Sequence, residues 1–474
     1  MRLRKICIVG LDAYGLLSGE GDLQYIGGET VQHVLLARAW RNLGHEVSMI
    51  VFDDGQGASR VVDGITVIAA HKRRAGLPGL RFFHPRASKL FSALMAADAD
   101  VYYQSPAGAF SGITAWFCRM TDRRFIMRIA SDSDCDKEHG RIRFWRDRRL
   151  FDYALHHADL VAAQTRVQAD MLRANHRLEA PVVNMLVEPP RRGAARVEKD
   201  IDVLWLSNLR ALKRPELVLE LARQLPQVNF TLAGGPYPGP RGGTYFEDVY
   251  AAAARLPNVN MPGAVRYAES GGWIDRSKIF LNTSSIEGFP NTFLQAWLRG
   301  VPVVSFFDPD GLIRRLQLGA VPGSTDDMRE SIRGLLEADV YRENIGRRAH
   351  DFVSREFTSA AAARYIELLE AMPERAGVRA AARVREPRGW RELPGPARAC
   401  PRMIVRRRKT DRAKKRAPRH AVRRAHRSDA EVIDYRWERP SCSIHCGTGM
   451  LTPNRMDTRR SSTTVVAPMM VAFA

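Results

Sequence analysis

The chain has 474 residues, 45% of them hydrophobic and 26% charged, and a formal net charge of +21. This length exceeds a typical single domain, and the hydrophobic content supports a full core, which excludes a small disulfide-stapled fold and a wholly disordered chain. The excess charge is concentrated at the end, since residues 373–474 hold 25 Lys+Arg and 9 Asp+Glu, so overall composition does not indicate a nucleic-acid-binding body.

Strand-like apolar runs alternate with helical patterns through two consecutive stretches of the chain. In the first stretch the predicted strands are 6–10, 47–52, 65–69, 101–104, 125–129 and 160–163, and the predicted helices are 28–43, 86–97 and 167–175. After a Pro/Gly/Arg-rich linker the predicted strands are 203–206, 230–233, 279–281 and 301–307, with helices 215–225, 245–255, 290–299, 326–337, 341–355 and 359–372. Strands separated by helices favour parallel sheets covered on both faces. We therefore predict two doubly wound Rossmann-like α/β domains, 1–188 and 189–372, with ligand bound in the crevice between them.

A glycine pair follows the first predicted strand. Gly27 and Gly28 end a loop and open a helix, so the backbone can approach an anion closely at a helix N-terminus. A plain surface loop with a helix cap is the alternative interpretation.

Two polar segments of the first domain invite separate interpretations. The loop 71–74, His-Lys-Arg-Arg, precedes an apolar and basic segment through residue 83, which suits an anionic membrane surface or, equally well, a solvated charge run. Asp132-Ser133-Asp134 has the spacing of a divalent-metal site, although three residues are weak evidence. Ser131 and Asp132 follow the predicted strand 125–129, and a loop cap is one interpretation of this pair.

The strongest motif lies in residues 283–305. An apolar run ends in small polar residues, followed by Glu287-Gly288-Phe289-Pro290-Asn291-Thr292-Phe293-Leu294-Gln295 and a second apolar run. Pro290 suits the first turn of a helix that ends near Gly300, and such a strand–loop–helix unit presents free N–H groups to phosphate. Upstream, the segment Ser207-Asn208-Leu209-Arg210-Ala211-Leu212-Lys213 ends the first strand of the second domain with two cations.

These motifs resemble the nucleotide-sugar signature of family-4 retaining glycosyltransferases, which have the GT-B fold. The resemblance covers residues 5–372. In that family a second acidic residue follows the loop Glu by eight positions, whereas here Gln295 follows Glu287. The family usually has Gly-Arg-Leu at the first strand end, with a Lys five residues after the Arg. In this chain Asn208 takes the place of the Arg, Lys213 matches the Lys, and Arg210 can supply the missing guanidinium.

The resemblance implies roles for these residues. Glu287 orients the donor sugar, while Lys213 and Arg210 stabilise the leaving diphosphate. Donor-binding groups are expected at Gly27, Gly28, Asn208, Gly288, Phe289, Asn291, Thr292 and Gln295. Many members of the family carry a His after the strand 125–129, so the resemblance makes Ser131 and Asp132 acceptor-side candidates, with a loop cap as the alternative. The activity implied is transfer of a hexose-type sugar from a nucleoside diphosphate sugar to a glycan or lipid-linked glycan, without cofactor or metal.

Other interpretations stay open. A GT-B sugar-nucleotide 2-epimerase would use the same fold and donor, and a non-catalytic nucleotide-sugar or RNA-binding protein would suit Gln295, Asn208 and the basic tail. Six Cys, with no signal peptide and no membrane-spanning run, indicate a cytoplasmic protein, with contact at the inner face of a membrane as a further expectation.

The segment 373–474 is interpreted as a basic tail of low order. Arg, Ala and Pro dominate it, and no apolar period persists. It is either a tail that binds RNA or anionic membrane, or an extension outside the working enzyme, and the missing pattern favours the second. No nucleic-acid partner is expected except through this tail. Cys442, His445 and Cys446 resemble metal ligands but have no matching partner pair.

Overall fold

The computed structural model describes residues 2–20, 27–105, 107–138, 142–190, 197–236, 242–284 and 287–373. The tail beyond residue 373, with its three metal-type side chains, lies outside the described residues, as do residues 191–196 of the linker. The two predicted doubly wound domains are both present, so the fold expected from the sequence is confirmed.

A seven-stranded sheet forms the first domain. Its strands are β1 (Lys5–Val9), β2 (Glu46–Val51), β3 (Ser59–Val62), β4 (Ile65–Ala69), β5 (Val101–Gln104), β6 (Arg124–Arg128) and β7 (Leu160–Ala162). They lie in the order β3-β4-β2-β1-β5-β6-β7, and only the edge pair β3–β4 is antiparallel. The helices are α1 (Tyr14–Ser18), α2 (Gly28–Asn42), α3 (Ser88–Ala97), α4 (Ala109–Met120), α5 (Trp145–His157) and α6 (Arg166–His176).

A six-stranded parallel sheet forms the second domain. Its strands are β8 (Ile201–Leu206), β9 (Phe230–Ala233), β10 (Val259–Gly263), β11 (Ser277–Asn282), β12 (Val303–Ser305) and β13 (Gly319–Ala320), in the order β10-β9-β8-β11-β12-β13. Its helices are α7 (Pro215–Gln224), α8 (Gly242–Ala253), α9 (Tyr267–Asp275), α10 (Asn291–Leu298), α11 (Leu312–Leu316), α12 (Thr325–Glu337) and α13 (Asp339–Glu356). In both sheets the neighbouring parallel strands end at one edge, which is where ligands bind in this class of fold.

The last helix, α14 (Ala360–Ala371), returns to the first domain. Its Tyr365 is 1% exposed and packs edge-on against Tyr103 and Trp40 of the first core. The Trp40 indole N–H donates to the Ala362 carbonyl at 2.8 Å. The end of the described chain thus crosses from the second domain and packs on the core of the first.

Several elements were not predicted. They include the edge strands β3 and β10 and the helices α4, α5 and α9. β12 is shorter than the predicted run 301–307, because only Val303–Ser305 finds strand partners. No helix among the described residues is long and apolar enough to cross a membrane.

Candidate active site

A cleft of about 320 Å³ lies between the domains, at the carboxyl ends of both sets of strands. Its first-domain wall includes Gly27, Gly28 and Ala130. The second-domain wall brings together most of the sequence-predicted residues, namely Asn208, Arg210, Lys213, Glu287, Gly288, Phe289, Asn291, Thr292 and Gln295. Residues up to 268 positions apart in the chain therefore share one cavity.

An ion pair is the central polar contact of the cleft. The Lys213 ammonium Nζ lies 2.5 Å from Glu287 Oε1, and the two side chains are 18% and 12% exposed. The Asn282 side-chain amide also donates to Glu287 Oε1 at 3.3 Å. Glu287 comes from the loop after β11, and Lys213 from a helical turn after β8, which are neighbouring strands. The pair thus places one carboxylate and one cation together beside the start of α10.

A buried hydrogen-bond relay fixes the turn that carries Lys213. The Trp205 indole N–H, at the end of β8, donates to Thr283 Oγ1 at 3.0 Å. That hydroxyl in turn donates to the Lys213 carbonyl at 2.7 Å. Trp205 and Thr283 are both essentially inaccessible to solvent. The backbone of Lys213 is therefore tied to the sheet core, which restricts where its ammonium can reach.

The N-terminus of α10 opens into the same cleft. The helix begins at Asn291, one residue later than predicted, and Pro290 is therefore the residue that precedes it. The first N–H groups of an α-helix have no intrahelical partner and carry the positive end of the helix dipole. The backbone of Asn291 and Thr292 therefore offers donors to an anion in the cleft.

Two predicted donor-binding groups are instead engaged with the first domain. The Asn291 side-chain amide donates to the Gly28 carbonyl at 2.9 Å and accepts from Gln32 Nε2 at 2.7 Å. The Phe289 N–H donates to Gln164 Oε1 at 3.2 Å, and the Phe289 ring is buried. The Phe289 amide has a protein acceptor in this conformation, and its role at the donor phosphate stays a prediction. These groups join the domains.

Gly288 allows the domains to approach closely. A Cβ at this position would lie 2.6 Å from the Ala130 carbonyl oxygen and 3.3 Å from the Ser131 Cα, both in the first domain. We expect the added methyl group of Gly288→Ala to push the two walls apart. This should destabilise their close approach by roughly 1–3 kcal/mol, which is typical of overpacking. Calorimetry with a nucleotide-sugar donor should then show affinity lower by about 10–100-fold.

Gly272→Ala is the matched control for this substitution. Gly272 lies in α9 of the same domain, and a Cβ there would meet nothing within 4 Å. Its donor affinity should equal that of the unmodified protein. Unchanged affinity in Gly288→Ala would show that the close approach to Ala130 does not matter for binding.

Gln295 lies one helical turn after Asn291 in α10 and is 9% exposed. It shares a hydrogen bond with Tyr267, a residue that the sequence analysis missed. Burial, reinforced by the negative charge of Glu188, raises the pKa of Tyr267 to about 12, so its hydroxyl stays protonated. The pair therefore presents neutral hydrogen-bonding groups where the resembled family has a carboxylate.

The acceptor-side candidates lie beside the cleft wall and form a turn cap. The Asp134 carboxylate accepts from the N–H groups of Ala130 and Ser131, at 3.2 and 3.0 Å. Asp132 Oδ1 accepts from Gln168 Nε2 at 2.9 Å. Burial raises the pKa of Asp132, and the bond from Gln168 opposes the shift. Both carboxylates of the Asp-x-Asp segment are thus engaged by protein donors, and the described residues contain no cluster of three metal-type side chains.

A second charged pair in the cleft was not predicted. Arg128, at the end of β6, is 2% exposed, and its guanidinium lies 3.4 Å from the Glu29 carboxylate. Burial raises the pKa of Glu29, and the positive charge of Arg128 opposes that shift. Burial and the same positive charge lower the pKa of His33 to about 3, so its imidazole is neutral. The sequence signal that could have revealed this pair is Arg128, a charged residue at the end of a buried strand.

Sequence comparisons match both halves of the chain. The model of a "Glycosyl transferase 4-like domain" matches residues 27–190, and the model of a "Glycosyl transferase-like" domain matches residues 210–368. Together the matches span the glycine pair, the Lys213 turn and the Glu287 loop. No curated protein matches the sequence.

Solved structures with similar folds include three glycosyltransferase-type proteins. Sucrose-phosphate synthase from Thermosynechococcus elongatus has a TM-score of 0.62 at 16% identity, over 77% of this chain and 98% of its own. HepE from Anabaena, in complex with UDP and glucose, has a TM-score of 0.60 at 17% identity, over 78% of this chain and 100% of its own. A glycosyltransferase from Rickettsia africae has a TM-score of 0.57 at 12% identity, over 78% of this chain and 99% of its own. At these identities the similarity establishes a shared fold.

Proposed function

Because this chain belongs to the family-4 (group 1) glycosyltransferases of the GT-B fold, we propose that it is a retaining hexosyltransferase. It moves a sugar from a nucleoside diphosphate sugar to a hydroxyl group of a glycan or lipid-linked glycan. The observation that carries the proposal is the Lys213–Glu287 pair beside the N-terminus of α10, facing the Gly27–Gly28 loop across one cleft.

The donor is held by charge and by backbone. Gly27, Gly28 and the N-terminus of α10 line opposite walls, so a diphosphate between them meets N–H groups from both domains. Gln295 lines the same cleft, and its carbonyl oxygen is the proposed acceptor for a ribose hydroxyl. HepE is described in complex with UDP and with UDP-glucose, which makes UDP-glucose the first donor to test.

Transfer depends on stabilising the leaving diphosphate. Lys213 and Arg210 line the cleft beside the helix start and offer positive charge as the bond from sugar to phosphate breaks. Glu287 accepts hydrogen bonds from the sugar hydroxyls and fixes the anomeric carbon against the acceptor. In the same-face displacement described for this family, a diphosphate oxygen takes the proton of the acceptor hydroxyl. The acceptor approaches from the first-domain wall, near Ser131 and Asp132.

Acceptor-dependent release of nucleoside diphosphate tests this proposal. A panel of UDP-, GDP- and ADP-sugars is first screened for binding by calorimetry, and the tightest donor is then incubated with glycan acceptors. Release that requires an acceptor supports transfer. Conversion or hydrolysis of the donor alone would indicate an epimerase, and binding without turnover a non-catalytic protein.

We expect transfer to persist in excess EDTA. The helix N-terminus and Lys213 supply the positive potential that a divalent cation would otherwise provide at the diphosphate. Initial rates with and without chelator, and with added manganese, make the measurement. If EDTA stops transfer and manganese restores it, Asp132 and Asp134 become the first candidates for metal ligands.

We also propose a cytoplasmic location. Cys7, Cys118 and Cys135, the described cysteines, are buried and form no disulfide with one another. Buried cysteines outside disulfides are typical of proteins that work in a reducing compartment. Alkylation of the denatured protein, isolated from cells without reductant, should label these three cysteines.

A further inference from the structure

Exposed apolar side chains cluster on the first domain, outside the cleft. Trp145 is 73% exposed, Phe83 66% and Phe144 53%, and Leu77 and Leu80 are exposed by 71% and 65%. Large apolar side chains this exposed mark an interaction site when they are grouped and surrounded by charge. We call this group, with its neighbouring cations, the arginine–aromatic patch; its cations are Arg81, Arg86, Arg143, Arg146 and Arg149.

Stacked guanidinium groups join the two segments of the patch. Arg146 lies over the Phe82 ring, 3.5 Å from its centroid, and Phe82 packs edge-on against Phe83 at 5.3 Å. Within the second segment, Arg143 lies over the Phe144 ring at 5.2 Å, and Arg149 lies over Trp145 at 5.8 Å. The segments 77–86 and 143–149 therefore form one continuous surface of aromatic rings and cations.

The surroundings of the patch are strongly positive. Residues 72–89 and 142–149 together contain ten Lys or Arg and one acidic residue, Asp147. Arg146 pairs with Asp147 at 2.6 Å, and Arg73 pairs with Asp12 and Asp54, so a minority of this charge is neutralised locally. Burial, and then the nearby charges of Arg81 and Arg146, lower the pKa of Arg86, which shows how closely the cations are grouped.

The patch lies at the same edge of the first sheet as the cleft. Residues 77–86 follow β4, and residues 143–149 follow β6, while Ala130 of the cleft wall also follows β6. These strands run parallel through β2, β1 and β5, so their carboxyl ends share one edge. A surface bound to the patch is thus at the same sheet edge as Ala130 of the cleft wall.

We propose that the arginine–aromatic patch docks the protein onto an anionic lipid bilayer. Arginines meet the lipid headgroup charges, while Trp145 and Phe83 enter the interface, where aromatic side chains are favoured. Leu77 and Leu80 add aliphatic surface that a bilayer can bury. RNA fits less well, because a nucleobase stacks on a bare ring face, and here a guanidinium already lies over one face of the rings of Phe82, Phe144 and Trp145.

Vesicle co-sedimentation of the full chain tests the proposal. One set of vesicles contains phosphatidylglycerol with phosphatidylcholine, and the other contains phosphatidylcholine alone; no nucleotide sugar is present, so the result does not depend on the proposed transfer. The unmodified protein should bind the anionic vesicles, and added NaCl should weaken binding. The double variant Phe83→Ser/Trp145→Ser and the charge reversal Arg143→Glu/Arg149→Glu should each reduce the partition coefficient at least about tenfold.

A matched control separates the patch from general apolar exposure and from the basic tail. Val340 and Tyr341 are 73% and 54% exposed in the second domain, so Val340→Ser/Tyr341→Ser should bind vesicles like the unmodified protein. Every variant retains residues 374–474, so a difference between them reports the patch. Equal vesicle binding by the patch variants, or equal binding of the unmodified protein to both kinds of vesicle, would overturn the proposal. If the patch variants lose binding to a single-stranded RNA while their vesicle binding is unchanged, the proposal is also overturned, in favour of RNA as the ligand of the patch.

Discussion

Glu287→Ala should lower the rate of sugar transfer by a factor on the order of 10²–10³, or roughly 2.7–4 kcal/mol of transition-state stabilisation. Glu287 is 12% exposed and comes from the loop that opens α10, so its carboxylate meets the sugar in a site largely shielded from water. In such a site a charge-assisted hydrogen bond is stronger than in water. Binding of the nucleoside diphosphate should stay within a few-fold of normal, because the proposed partner of Glu287 is the sugar.

The measurement is steady-state transfer together with calorimetric binding of the nucleoside diphosphate and a thermal melt. Glu287→Ala also removes the partner of Lys213, so a loss of stability has to be separated from a loss of chemistry. Asp202→Ala is the matched control, since Asp202 is 16% exposed and pairs with Lys278 at 2.8 Å outside the cleft. It should show a comparable change in melting temperature with normal transfer. Near-normal turnover in a folded Glu287→Ala protein would remove Glu287 from the mechanism.

Glu287→Gln refines the same test. The amide keeps the shape and one acceptor oxygen but loses the charge that pairs with Lys213. An intermediate rate would indicate that acceptor geometry contributes as well as charge. A rate equal to that of Glu287→Ala would assign the whole effect to the negative charge.

The sequence predicted the fold because its strongest elements have strong local patterns. β1, β2 and β8 are nearly continuous apolar runs, as expected for parallel strands buried on both faces. The weak elements depend on tertiary contacts. Gly112 lies in the middle of α4, where glycine disfavours a helix, yet a Cβ there would lie 2.3 Å from the Leu150 carbonyl of α5. β10 carries Pro262, which an edge strand tolerates.

The site was predictable where its chemistry lies in short, ordered segments. Glu287 and Lys213 were both named as catalytic candidates, and the structure places them 2.5 Å apart although 74 residues separate them in the chain. The interdomain roles of Asn291 and Phe289 could not be predicted, because they depend on Gln32, Gly28 and Gln164 of the other domain. The Glu29–Arg128 pair lies within the first domain and was missed because 99 positions separate its two residues in the chain.

Two truncations should differ sharply in stability. A chain ending at residue 373 should fold and transfer sugar, because residues 374–474 offer too few patterned apolar side chains to offset the entropy of ordering them. A chain ending at residue 358 also lacks α14, which buries Tyr365, Ile366 and Leu369 against the first core. Losing such side chains costs roughly 2–5 kcal/mol each, and together this approaches the whole stability of a domain, about 5–15 kcal/mol.

Thermal melts and sugar-transfer rates measured on both truncated chains test this expected difference in stability and activity. The shorter chain uncovers Trp40 and Tyr103, which α14 packs against, so we expect it to aggregate or to lose its cooperative melt. Tyr365→Ala in the full chain provides a graded version, with an expected loss of roughly 3–5 kcal/mol. A large drop in melting temperature or in transfer for the chain ending at residue 373 would show instead that the basic tail is part of the working enzyme. A cooperative melt at the normal temperature for the chain ending at residue 358 would show that the first core does not need α14.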